Sequence, residues 1–386
     1  MSAWPRLIRP PLRDLGPYVP GPSLTELRAR LALGEVAKLN WNEGLLGPLP
    51  GVLDAVAARL DEAWAYPEQA YHELRAAIAA DAGVDAAQVL PGHGIQSLIL
   101  AVTAAFVADG DRVVVPRPTY GLYAQASRAA GARVEHVDLP DLRLDLERIA
   151  AAAHRTRARL AWVCDPNNPT GSRLEAGEWA AFLDALPPGC VVVADEAYMD
   201  YVPAAERVRR EDDIAGGRPL VVLRTFSKIY GLAGLRLGYA IVDAALTPYL
   251  QTVQEPFNVN RAALAAGMAS LGRATEIAER RAATIAARER FAAALAEGGL
   301  EPLPSVANFV LVRLGADDHV VTDRLLRRGI LVRPGSEMEL PGWARITIGP
   351  DELMRRVAGE LLDVCAQVAA DGADDAPARP LRRAPG

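Results

Sequence analysis

One lysine of this chain has the surroundings of a nucleophilic amine. Lys228 follows the valine-rich residues 220–224 and stands among small and apolar neighbours in the sequence Thr-Phe-Ser-Lys-Ile-Tyr-Gly. An amine that loses solvation disfavours its charged form, and the neutral amine can attack a carbonyl carbon to form a Schiff base. Arg236 lies further along the same segment, where a guanidinium can bind a phosphate through two parallel hydrogen bonds. Alone, the segment is equally compatible with a surface lysine and an arginine paired with an acid.

Polar side chains also follow two other predicted strands. Asp195 and Tyr198 come after the apolar run 190–194, where a carboxylate can keep a pyridinium nitrogen protonated while the phenol donates to a ring oxygen. Asn168 lies in a loop that two prolines and a glycine make rigid, and its amide can face the same oxygen. Asp195 is also compatible with a metal-binding acid, but the sequence lacks the Gly-x-x-x-x-Gly-Lys-Ser/Thr of a nucleotide hydrolase. Asn168 is also compatible with an ordinary turn.

A glycine-rich segment and a tyrosine complete the set. Residues 91–97 open a predicted helix, whose N-terminus and glycines together suit a bound anion. Their likeness to a dinucleotide-binding fingerprint ends at Ser97, and no suitably placed acid follows to bind a ribose, which argues against a dehydrogenase. Tyr120 can stack on a flat ring or pack in the core. Phosphate cradle, stacking ring, amide, acid and lysine come in chain order, nearly all at the carboxyl end of a strand, so chance explains the set poorly.

The segments that must position these residues alternate between two patterns. Short, valine-rich runs are separated by helical patterns between residues 46 and 260, which predicts an α/β fold with a mostly parallel sheet between helical layers. The predicted strands are 112–115, 133–137, 160–164, 191–194, 220–224 and 237–242, and the predicted helices include 94–106, 121–130 and 177–186.

The pattern changes after residue 260. A long alanine-rich helical region over 261–298 precedes strands at 307–313 and 345–348, a helix at 322–328 and a final helix at 351–369. We predict four parts: a proline-rich N-terminal arm (1–45) with one short helix that begins after Ser23, a large domain (46–260), a smaller α+β domain (261–370) and a disordered tail (371–386).

Composition restricts the class of protein. The chain has 386 residues, 51% of them hydrophobic and 23% charged, which is ordinary for a soluble globular protein, and its formal net charge of −6 argues against a nucleic-acid partner. We expect the arginine-rich runs 207–210 and 280–290 to lie on solvated surfaces. Three distant cysteines and five scattered histidines indicate neither a disulfide framework nor a metal site. Without a signal peptide or an apolar run of membrane-spanning length, the chain is predicted to be cytoplasmic.

Taken together, the motifs resemble the fold-type I aminotransferases that use pyridoxal 5′-phosphate, and most closely the histidinol-phosphate aminotransferase family. The resemblance extends from about Leu15 to about Asp363. It implies a large cofactor-binding domain with a mostly parallel sheet of the seven-stranded type between helices, and a smaller α+β C-terminal domain. The segments that carry it are 15–18, 39–43, 65–68, 116–120, 166–171, 195–198, 224–238, 307–309, 329–333 and 345–349.

The resemblance also implies catalytic roles. Lys228 would form a Schiff base with the cofactor and then move a proton between the substrate and the cofactor. Asp195 would pair with the pyridine nitrogen, Asn168 and Tyr198 would bind the ring oxygen, and Tyr120 would stack on the ring.

The remaining implied roles concern anions. Tyr66 would reach the cofactor phosphate from the neighbouring subunit of a homodimer. The other expected phosphate ligands are Gly94, Ile95, Gln96, Thr225, Ser227 and Arg236. The expected substrate-binding residues are Tyr18, Asn42, Arg333 and Arg345, and two arginines with a phenol suit either a phosphate or a carboxylate.

Two segments depart from the family pattern. Residues 42–50 read Asn-Glu-Gly-Leu-Leu-Gly-Pro-Leu-Pro near the expected substrate entrance, and Gln96 stands where the family has an aspartate. We predict transamination between glutamate with 2-oxoglutarate and histidinol phosphate with its keto form. Two alternatives remain: an aminotransferase of the same family for aromatic or other amino acids, and a decarboxylase of a phosphorylated amino acid. A cofactor-sensing regulator is disfavoured, because the arm before Asn40 has no room for a DNA-binding module.

Overall fold

The structure, a computed structural model, describes residues 4–13, 15–16, 23–175 and 177–374. The strands are β1 (Ala37–Lys38), β2 (Val89–His93), β3 (Arg112–Arg117), β4 (Arg133–Asp138), β5 (Leu160–Cys164), β6 (Val191–Asp195), β7 (Leu220–Thr225), β8 (Leu237–Ile241), β9 (Glu301–Pro302), β10 (Phe309–Arg313), β11 (Ile330–Leu331), β12 (Arg333–Pro334) and β13 (Trp343–Thr347).

Helices separate most of these strands. They are α1 (Trp4–Leu7), α2 (Pro10–Arg13), α3 (Leu24–Leu31), α4 (Val52–Ala57), α5 (His72–Ala82), α6 (Gly94–Phe106), α7 (Leu122–Ala130), α8 (Leu146–Thr156), α9 (Glu178–Asp184), α10 (Arg210–Ala215), α11 (Thr247–Val253), α12 (Arg261–Ser270), α13 (Ala274–Glu297), α14 (Asp318–Arg327) and α15 (Asp351–Asp374).

A seven-stranded sheet in the order β2-β8-β7-β6-β5-β3-β4 forms the centre of the larger part. Strand β8 is antiparallel to both of its neighbours, and the other pairs are parallel. Every residue of β5 and β6 is buried, as expected for parallel strands covered on both faces. Alternate residues enter two separate apolar layers: Ala161 and Val163 pack in one, and Leu160 and Trp162 in the other. The α/β prediction is confirmed.

The sequence prediction missed one strand of this sheet. All six predicted strands are present with ends within two residues, but β2 carries Pro91 and Gly92, which favour a turn. Strand β2 lies at the edge of the sheet, where a proline that cannot donate a ladder hydrogen bond is tolerated.

The C-terminal part contains an antiparallel sheet in the order β12-β13-β10-β9 over its own apolar core. The predicted helical region 261–298 is two helices, because the chain turns at Gly272, whose φ is +71°. The last helix, α15, ends at Asp374 instead of the predicted 369, and Asp371 pairs with Arg324 of α14. Residues 375–386 of the predicted tail lie outside the described residues.

The N-terminal arm contains more helix than predicted. The short helices α1 and α2 occupy the proline-rich start, where Pro10 suits a first helical position. Helix α3 begins as predicted, with Ser23 and Glu26 forming a reciprocal capping box. Strand β1 then pairs with β11 of the C-terminal part. In the part of the chain that is described, no helix has both the length and the apolar character needed to cross a membrane.

Candidate active site

The carboxyl ends of six strands lie at one edge of the central sheet. Strands β3, β4, β5, β6 and β7 are parallel, and β2 runs in the same direction because both it and β7 are antiparallel to β8. Ligands of open α/β sheets bind outside such an edge. Gly94, Tyr120, Asn168, Asp195 and Lys228 all lie at or just beyond these strand ends, so the topology brings the predicted set together.

Lys228 lies beside the segment that follows β1. Its Nζ donates to the backbone oxygen of Trp41 at 3.0 Å and lies 5.5 Å from the centre of the Tyr198 ring. Burial, helped by the positive charges of Arg345 and Arg236, lowers the pKa of Lys228 from its usual 10.5 to about 7. The amine is therefore substantially neutral near physiological pH and suited to attack a carbonyl carbon.

Asp195 is the last residue of β6 and is almost fully buried. Its two carboxylate oxygens accept hydrogen bonds from the phenol of Tyr123 at 2.6 Å and from the backbone N–H of Ala197 at 3.0 Å. Burial raises the pKa of Asp195 to about 6. Sequence reasoning missed Tyr123, which lies in the first turn of α7 and contacts the ring of Tyr120 edge-on, with the ring centres 5.5 Å apart.

Tyr198 and Asn42 form a buried, hydrogen-bonded pair in the site. The amide nitrogen of Asn42 donates to the hydroxyl oxygen of Tyr198 at 3.0 Å, and the backbone N–H of Asn42 donates to the hydroxyl of Thr347 at 3.0 Å. Burial raises the pKa of Tyr198, so its phenol stays protonated and can act as a donor. The structure thus places Asn42 beside Tyr198, and its role in substrate binding stays a prediction.

The start of helix α6 and Arg236 form a positively charged cup. A Cβ on Gly94, whose φ is +70°, would approach the Arg236 guanidinium without room for both. A Cβ on Gly238 would lie 2.9 Å from the backbone nitrogen of Ile95, so β8 also packs closely against this helix start. Arg236 donates to the hydroxyl of Ser227 at 3.4 Å, and the hydroxyl of Thr225 accepts from the backbone N–H of Ser227 at 3.0 Å.

Gln96 connects this cup to Tyr120. Its amide nitrogen donates to the hydroxyl of Tyr120 at 2.9 Å, and its amide oxygen accepts from Arg236 at 3.3 Å. The predicted backbone ligands Gly94, Ile95 and Gln96 thus lie beside Arg236 at a helix N-terminus, which favours a phosphate. The cup can hold an anion while Tyr120 offers an aromatic face nearby.

Two arginines lie opposite each other on neighbouring strands. Arg333 of β12 and Arg345 of β13 are cross-strand partners, and like charges in that position are destabilising without an anion. Arg345 is buried; it donates to the side-chain oxygen of Asn168 and to the backbone oxygen of Asn40 at 2.6 Å. Arg333 lies 3.4 Å from a carboxylate oxygen of Glu337. The pair joins the C-terminal sheet to the site.

Two predicted residues are not assembled with the others. Tyr66 is exposed, and its ring stacks on Phe257 with the ring centres 4.8 Å apart. Tyr18 lies outside the described residues. Among the residues that are described, no group of three His, Cys, Asp or Glu side chains is placed to hold a metal ion.

A buried ionic network joins two of the loops that carry site residues, and it was not predicted. Arg210 is fully buried and donates to Asp165 and Glu196, each at 2.5 Å, while Arg224 donates to Glu196 at 2.7 Å. Asp165 begins the loop of Asn168, and Glu196 follows Asp195, so Arg210 ties the two loops together. The prediction that residues 207–210 are solvated is wrong for Arg210, because a sequence run of arginines does not show which side chain turns inward.

Comparisons with known proteins agree on one family. The family model for aminotransferase class I and II matches residues 35–361. Histidinol-phosphate aminotransferase 1 of Thiobacillus denitrificans is 39% identical over 342 residues, which is 88% of each chain. Histidinol-phosphate aminotransferase of Symbiobacterium thermophilum is 38% identical over 90% of this chain and 96% of that protein. The crystal structure of histidinol-phosphate aminotransferase from Sinorhizobium meliloti in complex with pyridoxal 5′-phosphate superposes with a TM-score of 0.86, at 30% identity, over 93% of this chain and 98% of that chain.

Proposed function

This chain belongs to the class I and II aminotransferase family, and on that premise we propose that it uses pyridoxal 5′-phosphate to move an amino group between glutamate with 2-oxoglutarate and histidinol phosphate with its keto form. The observation that carries the proposal is the meeting of a lysine of lowered pKa, a buried carboxylate and an anion cup at one sheet edge. The relatives named above support the choice of substrates.

The residues present fit this cofactor. The cup of Gly94, Arg236 and Ser227 has the positive charge and the open helix start that a phosphate requires, and a Cβ at Gly94 would close it. Asp195 ends β6 with a carboxylate suited to a ring nitrogen, whereas the carboxylate of Glu196 is bound by Arg210 and Arg224. Tyr120 lies nearby and offers a face for the ring. When bound, pyridoxal phosphate supplies an electron sink for charge that develops on the substrate's α-carbon.

Four side chains of the site have separate proposed roles towards the cofactor and the substrate. Lys228 supplies the amine that holds the cofactor, and once displaced by the substrate it can carry a proton to and from the α-carbon. Asp195, fixed by Tyr123 and Ala197, keeps the ring nitrogen protonated. Tyr198 stays protonated, so its hydroxyl can donate to the ring oxygen. The side-chain oxygen of Asn168 accepts from Arg345, which leaves its amide nitrogen to donate to the same ring oxygen.

Arg333 and Arg345 are proposed to bind the substrate's anionic groups. Their cross-strand position concentrates two positive charges beside the site, and a phosphate or a carboxylate relieves the repulsion. The same pair can bind the phosphate of one substrate and a carboxylate of the other in turn. Tyr18 is proposed to complete this group from the N-terminal arm, outside the described residues.

We propose that the active form is a homodimer. Large apolar side chains are exposed on adjoining elements: Arg261 of α12 donates to the backbone oxygen of Tyr66, and Tyr66 stacks on Phe257. Exposed apolar side chains of this size favour burial against another chain, and in the proposed dimer Tyr66 would reach the cup of the second copy. The exposed side chains are Leu53, Leu60, Trp64, Tyr66, Tyr249 and Phe257.

Two further assignments accompany this proposal. We place the enzyme in the cytoplasm, on the ground that Cys164, Cys190 and Cys365 are all free and buried. We also propose the division into an arm (1–45), a large domain (46–260) and a small domain (261–370), with the small domain extended to Asp374 because α15 continues to that residue. The C-terminal part has an apolar core of its own from Ala287 onwards, while Ala263 and Ala266 of α12 pack in the core of the central sheet.

A single-turnover experiment tests the proposed function. Enzyme loaded with pyridoxal phosphate is mixed separately with histidinol phosphate, glutamate, histidine and phenylalanine, and the absorbance of the lysine-bound cofactor is followed as it is lost. Fast conversion to pyridoxamine phosphate with histidinol phosphate and glutamate alone supports the proposal. Fast conversion with phenylalanine in place of histidinol phosphate moves the substrate to an aromatic amino acid. Release of carbon dioxide from a phosphorylated amino acid, without ketone formation, would make the enzyme a decarboxylase.

A further inference from the structure

Gln96 uses both halves of its side-chain amide within the site. The amide nitrogen donates to the Tyr120 hydroxyl at 2.9 Å, and the amide oxygen accepts from a guanidinium nitrogen of Arg236 at 3.3 Å. Arg236 lies on the phosphate side of the site, whereas Tyr120 lies on the ring side. One neutral side chain therefore connects the group that holds the phosphate to the group that faces the ring.

The neighbours of Gln96 limit where Arg236 can go. Arg236 also donates to the backbone oxygen of Ala233 at 3.0 Å and to the hydroxyl of Ser227 at 3.4 Å. The guanidinium packs so closely against Gly94 that a Cβ there would overlap it, so Arg236 cannot move further towards the helix. With these contacts on its other sides, the Gln96 oxygen completes the orientation of the guanidinium plane. A guanidinium fixed in one plane loses less freedom when it binds a phosphate.

A carboxylate at this position would differ from the amide in charge. An ionised carboxylate could accept from Arg236 and from the Tyr120 hydroxyl, which can donate as well as accept, so the difference lies in its negative charge. It would place that charge beside the site of a phosphate that is itself negative. A neutral amide of the same length keeps the donor, the acceptor and the full positive charge of Arg236.

We propose that Gln96 is a positioning residue that couples the binding of the cofactor phosphate by Arg236 to the placement of the Tyr120 ring. This inference rests on the proposed function, because it concerns the same cofactor. It assigns a role to the Gln96 side chain that is additional to the backbone contact expected of any residue at this helix start.

The test compares two substitutions in the full chain freed of its cofactor. Gln96→Leu removes both hydrogen bonds without adding charge, and Gln96→Glu keeps the size but is anionic when ionised. Binding of pyridoxamine 5′-phosphate, which forms no bond with Lys228, is measured by calorimetry. Each lost charge-assisted bond is worth about tenfold in affinity, so at about pH 8 we expect Gln96→Leu to bind about tenfold more weakly than the natural chain and Gln96→Glu more weakly still.

The pH dependence separates positioning from simple packing. Protonation removes the negative charge of Gln96→Glu, and a bound phosphate favours that protonation, so the affinity of Gln96→Glu relative to that of Gln96→Leu should increase as the pH falls from about 8 towards about 5. Arg236 and Tyr120 contact Gln96, and Tyr123 packs against Tyr120. The other titratable groups at this sheet edge are His93, Lys228 and Asp195. All of them, and the ligand's phosphate, are common to both variants, so the ratio of the two affinities isolates residue 96.

A second measurement tests the coupling directly. Tyr120→Phe removes the hydroxyl that accepts from Gln96 but keeps the ring. In a double-mutant cycle, the effect of Gln96→Leu on the binding of pyridoxamine phosphate should be about threefold or more smaller in the Tyr120→Phe background. Additive effects would overturn the coupling.

The possible failures are distinguishable. If the natural chain binds pyridoxamine phosphate but Gln96→Leu binds it equally well, or if Gln96→Glu shows no recovery at low pH relative to Gln96→Leu, the role of Gln96 is refuted and the proposed function stands. If the natural chain binds neither pyridoxal nor pyridoxamine phosphate, the proposed function and this inference both fail.

Discussion

Lys228 and Asp195 both have pKa values that their surroundings move towards neutrality. Burial lowers the pKa of the lysine to about 7 and raises the pKa of the aspartate to about 6. The two side chains ionise with opposite sign, so burial has opposite effects on their pKa values. Groups perturbed in this way cluster at functional sites, and here they come from consecutive strands of one sheet.

The lowered pKa of Lys228 predicts how the cofactor is captured. Because only the neutral amine attacks the aldehyde, the rate at which cofactor-free enzyme takes up pyridoxal phosphate should rise with pH through about 7 and then level off. Stopped-flow absorbance of the lysine-bound cofactor measures it. Lys228→Ala should show no such absorbance and no amino transfer, with an unchanged far-ultraviolet circular dichroism spectrum. A rate that keeps rising up to about pH 10 would show that the amine is not perturbed.

Asp195 makes a prediction for stability. Its folded pKa of about 6 lies above the unfolded value of 3.8, so the wild-type protein without cofactor loses stability as the pH rises from about 4 to about 6. Asp195→Asn does not titrate. Its free energy of unfolding, relative to the wild-type value, should therefore increase by on the order of 2 kcal/mol between pH 4 and pH 7. Chemical denaturation at the two pH values measures the change.

The same substitution should reduce activity. A neutral amide no longer keeps the pyridine nitrogen protonated, so amino transfer in Asp195→Asn should fall by about two orders of magnitude or more. Single-turnover kinetics test this, with Asp195→Glu as the control that keeps the charge. An unchanged rate in Asp195→Asn would remove Asp195 from the mechanism.

Helix α6 and strand β2 show what an element contributes as a unit. Strand β2 delivers Gly94 to the sheet edge, and the first turn of α6 then presents its backbone N–H groups beside Arg236. The helix bounds were predictable, since an apolar helical pattern follows the glycines directly. Strand β2 was not, because only its pairing with β8 overrides the turn preference of its proline and glycine.

A matched pair of glycine substitutions tests this helix start. Gly94 and Gly83 both have a φ of +70°, so alanine at either position should cost about 1 kcal/mol of stability from backbone strain. Only at Gly94 does the new Cβ meet the guanidinium of Arg236, whereas at Gly83 the nearest atom is 3.8 Å away. Gly94→Ala should therefore lose cofactor affinity by about tenfold or more, and Gly83→Ala should keep it. Equal affinities in equilibrium dialysis would place the phosphate elsewhere.

At the scale of the whole molecule, the site draws on both parts of the chain. Arg345 and Arg333 come from the C-terminal sheet, Asn42 from the end of the arm, and Lys228 from the loop that follows β7 of the central sheet. Movement of the C-terminal part against the central sheet would therefore change the position of Arg333 and Arg345 in the site. It would leave the cup formed by Arg236 and the start of α6 intact.

The proposed homodimer predicts complementation between two damaged subunits. Lys228→Ala lacks the reactive amine, and Tyr66→Ala lacks the side chain proposed to serve the neighbouring site. A mixed dimer pairs the lysine of one chain with the tyrosine of the other and so contains one intact site. At equal proportions, half of the dimers are mixed, and activity should reach about a quarter of the wild-type value. If the mixture gains nothing over the mean of its components, Tyr66 serves no neighbouring site.

Local sequence patterns were enough to identify the residues that do chemistry and the turns that present them. Glycines, prolines and short valine-rich strands act over a few positions, so Lys228, Asp195 and the start of α6 could be recognised without a fold. The folded chain was needed to find which distant side chains meet: Tyr123 at Asp195, Arg333 opposite Arg345, and Arg210 between two loops. These contacts depend on strand order and register, which set distances between residues far apart in the chain. Gln96 illustrates both kinds of information. Its position at the helix start was visible in the sequence, while its two partners, Tyr120 and Arg236, come from the ends of other strands.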